Sequence, residues 1–278
     1  MEFCNAARGT QLTLELLAFC ISVLATGAVA GVLGGLLGIG GGLVLVPALF
    51  ELIQYLGADE TTAVRSAIAT SLATVIVTGT RSSLSHHRRG SLDFQHVRAW
   101  VPGIILGALL GAEVANRIDT SILITTFALL TALLAVNMAF GLSEWGSKVP
   151  SGRLTRAAGG GIVGLVSAML GVGVAGLGVP LMTLFSIPVR QAVAAAALMG
   201  SIAAVPATIR FVLGGWGLPD LAPWSFGYVN LLGFTLIVSM TLLTAPLGVA
   251  IAHRYSQVMV KRVFATFLGI NSVRMLTF

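Results

Sequence analysis

The chain has 278 residues, 56% of them hydrophobic and only 9% charged, and its mean hydropathy is +0.96. A soluble domain carries about 25% charged residues, so this composition excludes a soluble globular domain and predicts a polytopic membrane protein. The net charge of +6 does not argue for nucleic acid, because basic residues gather in the cytoplasmic loops of membrane proteins.

Apolar segments predict the helices in chain order. They are Leu12–Leu33, a shorter Leu43–Leu56, then Thr62–Leu84, Val97–Arg117 and Thr120–Leu142. Residues 143–156 form a polar linker with Gly146, Pro150 and Gly152. Beyond it come Ala157–Leu170, Gly176–Phe185, Val189–Leu213, Ser225–His253 and Val258–Leu276. A full crossing takes about 20 residues, so the two segments after the linker read as a hairpin that enters the membrane and turns back. Arg8, the apolar run and Ala28-Val29-Ala30 have the outline of a signal peptide. The segment is read as a retained helix, because a comparable helix precedes the second copy of the motif that follows it. Cys4 and Cys20 offer neither a disulfide framework nor a metal-ligand spacing.

The stretch Gly27–Phe50 is apolar enough for a bilayer and too rich in glycine for one plain helix. Gly34, Gly35, Gly38, Gly40, Gly41 and Gly42 fall within nine residues, and Pro47 follows. Each glycine in a helix interior costs about 1 kcal/mol relative to alanine. A helix break inside a membrane leaves backbone groups unpaired, which is tolerated only where protein, water or a ligand satisfies them. The motif returns in Gly161–Phe185 at an offset of 133, pairing Gly31 with Gly164, Gly38 with Gly171, Gly40 with Gly173 and Pro47 with Pro180. Val174 and Ala175 replace Gly41 and Gly42, while Gly176 and Gly178 are new. Later in each half, Gly107–Ile118 aligns with Thr244–Tyr255 at an offset of 137.

Each half therefore contains a broken hairpin and three full helices: an all-α integral membrane fold of 8–10 helical segments, counting hairpin arms. The first repeat covers 1–142, the linker 143–156 and the second repeat 157–278. Three crossings per half make the second repeat inverted. Loop charge agrees: Arg81, Arg88, Arg89 and Arg98 crowd the connection after Thr62–Leu84, whereas its counterpart Arg210–Trp224 holds only Arg210 and Asp220. The bias reverses at Arg254, Lys261 and Arg262 against the neutral Arg117–Asp119. An inverted repeat with both termini outside satisfies the positive-inside rule; a parallel repeat with a cytoplasmic N-terminus is the alternative.

In the inverted arrangement two hairpins enter from opposite sides and their glycine tips meet near the midplane. Helices starting near Leu43 and Gly176 then point their N-termini at a common point. Each offers unpaired N–H donors and about half a positive charge, which together make an anion site without a formal charge. Glycine lets the backbone approach a ligand, and Pro47 and Pro180 stand near helix starts. The plain alternative is that these glycines only pack helices. Gly38-x-Gly40 is not a nucleotide motif, since it lies in membrane helix rather than a strand–turn–helix.

GGLLGIGGGLVLVP (Gly34–Pro47), ATSL (Ala69–Leu72), HHRRGSLDF (His86–Phe94) and GALLGAEVA (Gly107–Ala115) together resemble the sulfite exporter TauE/SafE family over nearly the whole chain. The resemblance implies an integral membrane transporter moving sulfur-containing oxyanions such as sulfite, sulfoacetate or other organosulfonates. The second glycine motif departs from the fuller GIGGG form.

The candidate substrate-binding residues are Gly38, Gly40, Gly41, Gly42, Gly171, Gly173 and Gly176, with Ser71, Ser201, Arg81 and Arg210. Thr70, Ser71, Gly200 and Ser201 are mid-helix and small; they either donate to an oxyanion or pack helices. Arg81 and Arg210 end equivalent helices, and either snorkel to the interface or bind a sulfonate. Glu113, whose repeat partner is Ala250, is a carrier for a coupling proton or an interfacial group. Asn137 and Asn271 join helices. His86, His87, His96 and His253 fall in basic loops with no carboxylate or cysteine cluster beside them, so no metal site is expected.

The expected function is secondary active transport of a small sulfur-containing oxyanion in the cell inner membrane, with no cofactor and an ion gradient, a proton by first choice, as the driving force. The expected partners are that anion and the lipid bilayer, with no nucleic acid; a homodimer is one open assembly state. A passive anion channel, or a carrier of a different small anion, is the alternative. An enzyme would need a nucleophile–base pair or metal cluster at membrane depth, and the sequence offers none.

Overall fold

The computed structural model describes residues 2–37, 41–140, 152–219, 221–254 and 257–276. It contains α1 (Glu2–Leu37), α2 (Gly42–Tyr55), α3 (Glu60–Arg88), α4 (Phe94–Arg117), α5 (Thr120–Phe140), α6 (Arg153–Leu170), α7 (Ala175–Leu184), α8 (Val189–Gly214), α9 (Leu231–Arg254) and α10 (Gln257–Leu276). A two-residue antiparallel ladder, β1 (Ser225–Phe226) with β2 (Val229–Asn230), joins α8 to α9. Among the described residues five helices are long and apolar enough to cross a bilayer. This is an all-α membrane architecture.

Several boundaries differ from expectation, beginning with α1, which spans Glu2–Leu37 rather than Leu12–Leu33. The segment expected as a helix from Ser225 begins instead with the β-ladder, and Asn230 then starts α9 by accepting the Gly233 N–H on its side-chain oxygen at 2.7 Å. Helix α3 runs on through His86 and His87, which end a helix rather than occupy a loop, and Arg88 closes its last turn, where a cation suits the helix C-terminus. His96 and His253 likewise fall inside α4 and α9. Helix α6 starts at Arg153 rather than Ala157, with residues 141–151 outside the described ones.

The helices are stapled by small residues. Gly103, Gly107 and Gly111 of α4 lie against the Ala157, Gly161 and Leu165 backbone of α6, where a side chain would strike carbonyl oxygen. Gly27 and Gly31 of α1 lie on Ile237 and Thr241 of α9 in the same way. Close backbone approach of this kind holds membrane helices together where no hydrophobic force drives association. In both pairs residue numbers rise together, so α1 runs parallel to α9 and α4 parallel to α6. Helices α3 and α8 pack antiparallel: the α3 C-terminus, at His86, lies near Arg190 at the start of α8, while Thr70 accepts the Asn230 N–H beyond the end of α8. Helix α5 packs on α10, with the Ser272 hydroxyl donating to the Ala128 carbonyl at 2.8 Å. Under the repeat offset, α1 with α9 exchanges with α6 with α4, and α3–α8 and α5–α10 map onto themselves.

The core centres on α2 and the first half of α3. Leu45, Val46, Leu49, Ile53, Ala63, Ala67 and Ile68 are all at most 1% exposed.

Candidate functional site

Helix α6 is 18 residues and α7 is 10, about 27 and 15 Å, too short to cross a hydrocarbon core of about 30 Å. They meet at a turn in which Gly171 (φ 70°) and Gly173 (φ 72°) take the left-handed conformation. A β-branched residue there would be strained. The Gly171 carbonyl accepts the Ser71 hydroxyl of α3 at 2.8 Å, fully buried. Ser71 thus secures the turn from the other half of the chain.

The two glycine turns touch. A Cβ on Gly42, the first residue of α2, would stand 2.7 Å from the Gly171 carbonyl oxygen and 3.1 Å from Val172 backbone. Gly41 caps α2 in the left-handed conformation and abuts the Ala30 carbonyl. The start of α2 is therefore covered by protein.

The start of α7 is also buried, but it borders a cavity. A cavity of about 550 Å³ is floored by Gly173, Val174 and Ala175, the residues that lead into α7, and no side chain caps that helix. A helix start carries unpaired N–H donors and a partial positive charge, and this one borders the cavity. Gly200 of α8 and Gly31 and Gly34 of α1 contribute small walls, and α9 closes the side with Thr241 and Pro246. The remaining wall is one face of α3. Thr78, Ser82, Ser85 and Arg89 lie at i, i+4, i+7 and i+11, joined by Arg81 and His86 at the mouth. Among the described residues no lining residue is acidic.

The structure separates the other sequence candidates. Arg81 is at the mouth of the cavity. Arg210, its counterpart, lies at the far end of α8, paired with Glu113 of α4. Ser201 is buried, its hydroxyl 3.4 Å from the Ala197 carbonyl of its own helix and against Gly79. Thr70 accepts from Asn230. Gly176 is buried in the first turn of α7, facing Leu134 of α5. Asn271 bonds the Phe267 carbonyl within α10. Gly38 and Gly40 lie outside the described residues. Among the described residues no three His, Cys, Asp or Glu side chains assemble as a metal site.

Thr78, Ser82, Ser85 and Arg89 were not singled out from the sequence. Their signal was a polar stripe at helical spacing on an otherwise apolar helix. It was obscured because the stripe runs into the basic segment that reads as a loop.

Comparison with known proteins agrees with this architecture. A probable membrane transporter protein of Haemophilus influenzae is 32% identical over 260 residues, covering 92% of this chain and 98% of the relative. A probable membrane transporter protein of Methanocaldococcus jannaschii is 25% identical over 278 residues, covering 96% and 98%. One from Bacillus subtilis is 29% identical over 117 residues, covering 42% and 40%. No solved structure matches the chain. The family described as "Sulfite exporter TauE/SafE" matches residues 23–275, and the chain belongs to that family of multi-pass membrane transporters.

Proposed function

We propose that the protein is a secondary active transporter of small sulfur-containing oxyanions, sulfite, sulfoacetate or another organosulfonate. The anion is received in the cavity floored by the start of α7. The carrying observation is that cavity's chemistry: a helix start without a side-chain cap at its floor, hydroxyls along one wall, Arg81 and Arg89 among its lining, and no carboxylate lining it among the described residues. Such a site attracts anions and offers directional N–H and O–H donors to oxyanion oxygens.

The two halves are read as inverted-topology repeats. Support comes from the packing pairs that exchange under the repeat offset, and from α3 and α8 running antiparallel, as an axis in the membrane plane requires. In this reading the cavity opens to the cytoplasm, where Arg81, Arg88, Arg89 and Arg98 collect. The driving force is an ion gradient, with a proton as the coupling ion, and the protein acts in the cell inner membrane.

The test has two stages. Purified protein is screened by thermal shift against sulfite, thiosulfate, sulfoacetate, taurine, sulfate and carboxylate analogues; a shift with sulfur oxyanions alone is expected. Counterflow in proteoliposomes then measures whether internal unlabelled substrate accelerates uptake of labelled substrate. Acceleration marks a carrier. Its absence, with conduction preserved, replaces the carrier by a passive channel.

A further inference from the structure

At the end of α4, Glu113 pairs with Arg117 one turn on and with Arg210 of α8. Glu113 and Arg210 are less than a third exposed, whereas Arg117 is largely in the open. Asn116 adds a bond from its amide to the Arg210 carbonyl at 3.4 Å, and Gly214 packs directly on Asn116. These contacts join the first half of the chain to the second at the end of the molecule opposite the cavity mouth.

The repeat identifies what stands at the other end. Arg81 is the counterpart of Arg210 to within one position, and the counterpart of Glu113 is Ala250 of α9. Arg81 lines the open mouth and has no ion-pair partner among the described residues. The end away from the cavity mouth therefore has a cross-half ion pair, and the mouth has the same cation without the carboxylate.

We propose that Glu113 is a built-in anion that latches the outer end of the transporter shut on Arg210, and that Ala250, by removing the equivalent carboxylate, leaves the inner end open as the resting state. The inference rests on the carrier reading above. An outward-facing state requires the Glu113–Arg210 pair to part, which exposes Arg210 on the outer side as Arg81 is exposed on the inner side. A pair of this exposure biases the equilibrium by about twofold to fivefold.

The test uses the full chain in membrane vesicles with Cys4 and Cys20 replaced by serine. Thr78→Cys reports the inner cavity, which Thr78 lines. Thr208→Cys reports the outer side; Thr208 is the counterpart of Thr78 on α8, and its hydroxyl oxygen is buried without a hydrogen-bond partner. A membrane-impermeant maleimide is applied from each face. Without further substitution, Thr78→Cys labels from the cytoplasmic face and Thr208→Cys labels slowly from outside. Glu113→Gln raises outside labelling of Thr208→Cys about fivefold, and Ala250→Glu, which restores a carboxylate at the position the repeat equates with Glu113, raises it by a similar factor. The charge-swapped pair Glu113→Arg with Arg210→Glu restores the starting pattern and controls for folding. If none of these changes alters labelling while the background is one-sided, the latch is overturned alone. If the background labels equally fast from both faces, the carrier reading falls with it.

Discussion

The two glycine turns derive from one repeated motif and end in different surroundings. In the first, Gly42 begins α2 pressed against the carbonyl of Gly171, so the backbone donors there face protein. In the second, Gly173 to Ala175 lead into α7 at the floor of an open cavity. One copy thus packs against protein and the other lines the cavity. The difference follows from what packs above each: α1, α3, α8 and α9 stand apart above the second turn, while the second turn itself covers the first. A motif that looks symmetric along the chain need not present symmetric sites in any one conformation.

That contrast can be broken most severely at Gly42. Gly42→Val places a branched side chain against backbone that cannot yield, so a loss of about 3 kcal/mol is expected, read as a large fall in melting temperature or the absence of a monodisperse peak on purification. Gly173→Val should divide differently. The strain of its left-handed conformation is about 1–2 kcal/mol, so folded protein remains, but the floor of the cavity is filled and the sulfur-oxyanion thermal shift disappears. If Gly173→Val binds like the parent while Gly42→Val unfolds, the receiving role of the second turn is refuted.

Arg81→Ala sharpens the comparison at the mouth. Removing one of the two lining arginines should weaken apparent affinity about tenfold, with less dependence on ionic strength than the parent shows. Flux titrations at low and high salt give both numbers. Unchanged affinity would make Arg81 a snorkelling residue only.

The smallest effect is expected away from both turns. Asp59 caps α3 by accepting the Thr61 and Thr62 N–H groups at 3.1 and 3.2 Å. Hydrogen bonding by the Thr62 side chain, then by these N–H groups against slight burial, holds its carboxyl below the ordinary 3.8. A carboxylate depressed in the folded state stabilises above its unfolded value, and that contribution is lost as pH falls through the folded value. Asp59→Ala should therefore cost about 1 kcal/mol at neutral pH. The gap between parent and variant should close below pH 3.8, as melting curves across that range would record.

Much of this was legible along the chain. The helix breaks, the repeat and the charge reversal between halves are local properties of composition and spacing, and the break between α6 and α7 stands in the structure at Gly171 and Gly173. The site was legible only in part. Ser71 was marked as a small polar residue, yet its hydroxyl is engaged by the Gly171 carbonyl. Arg81 and Arg210 looked alike from their positions, and only the presence of Glu113 beside one of them tells them apart.

The amino-acid order by itself determined the membrane class, the places where helices must break and the doubling of the motif, because hydropathy, glycine cost and periodicity act within a few turns of chain. Tertiary structure alone decided which glycine turn is open, which hydroxyls face the cavity and which arginine is neutralised. Those outcomes depend on contacts between residues about a hundred positions apart, such as Ser71 with Gly171 and Glu113 with Arg210, and helix packing rather than local pattern sets them.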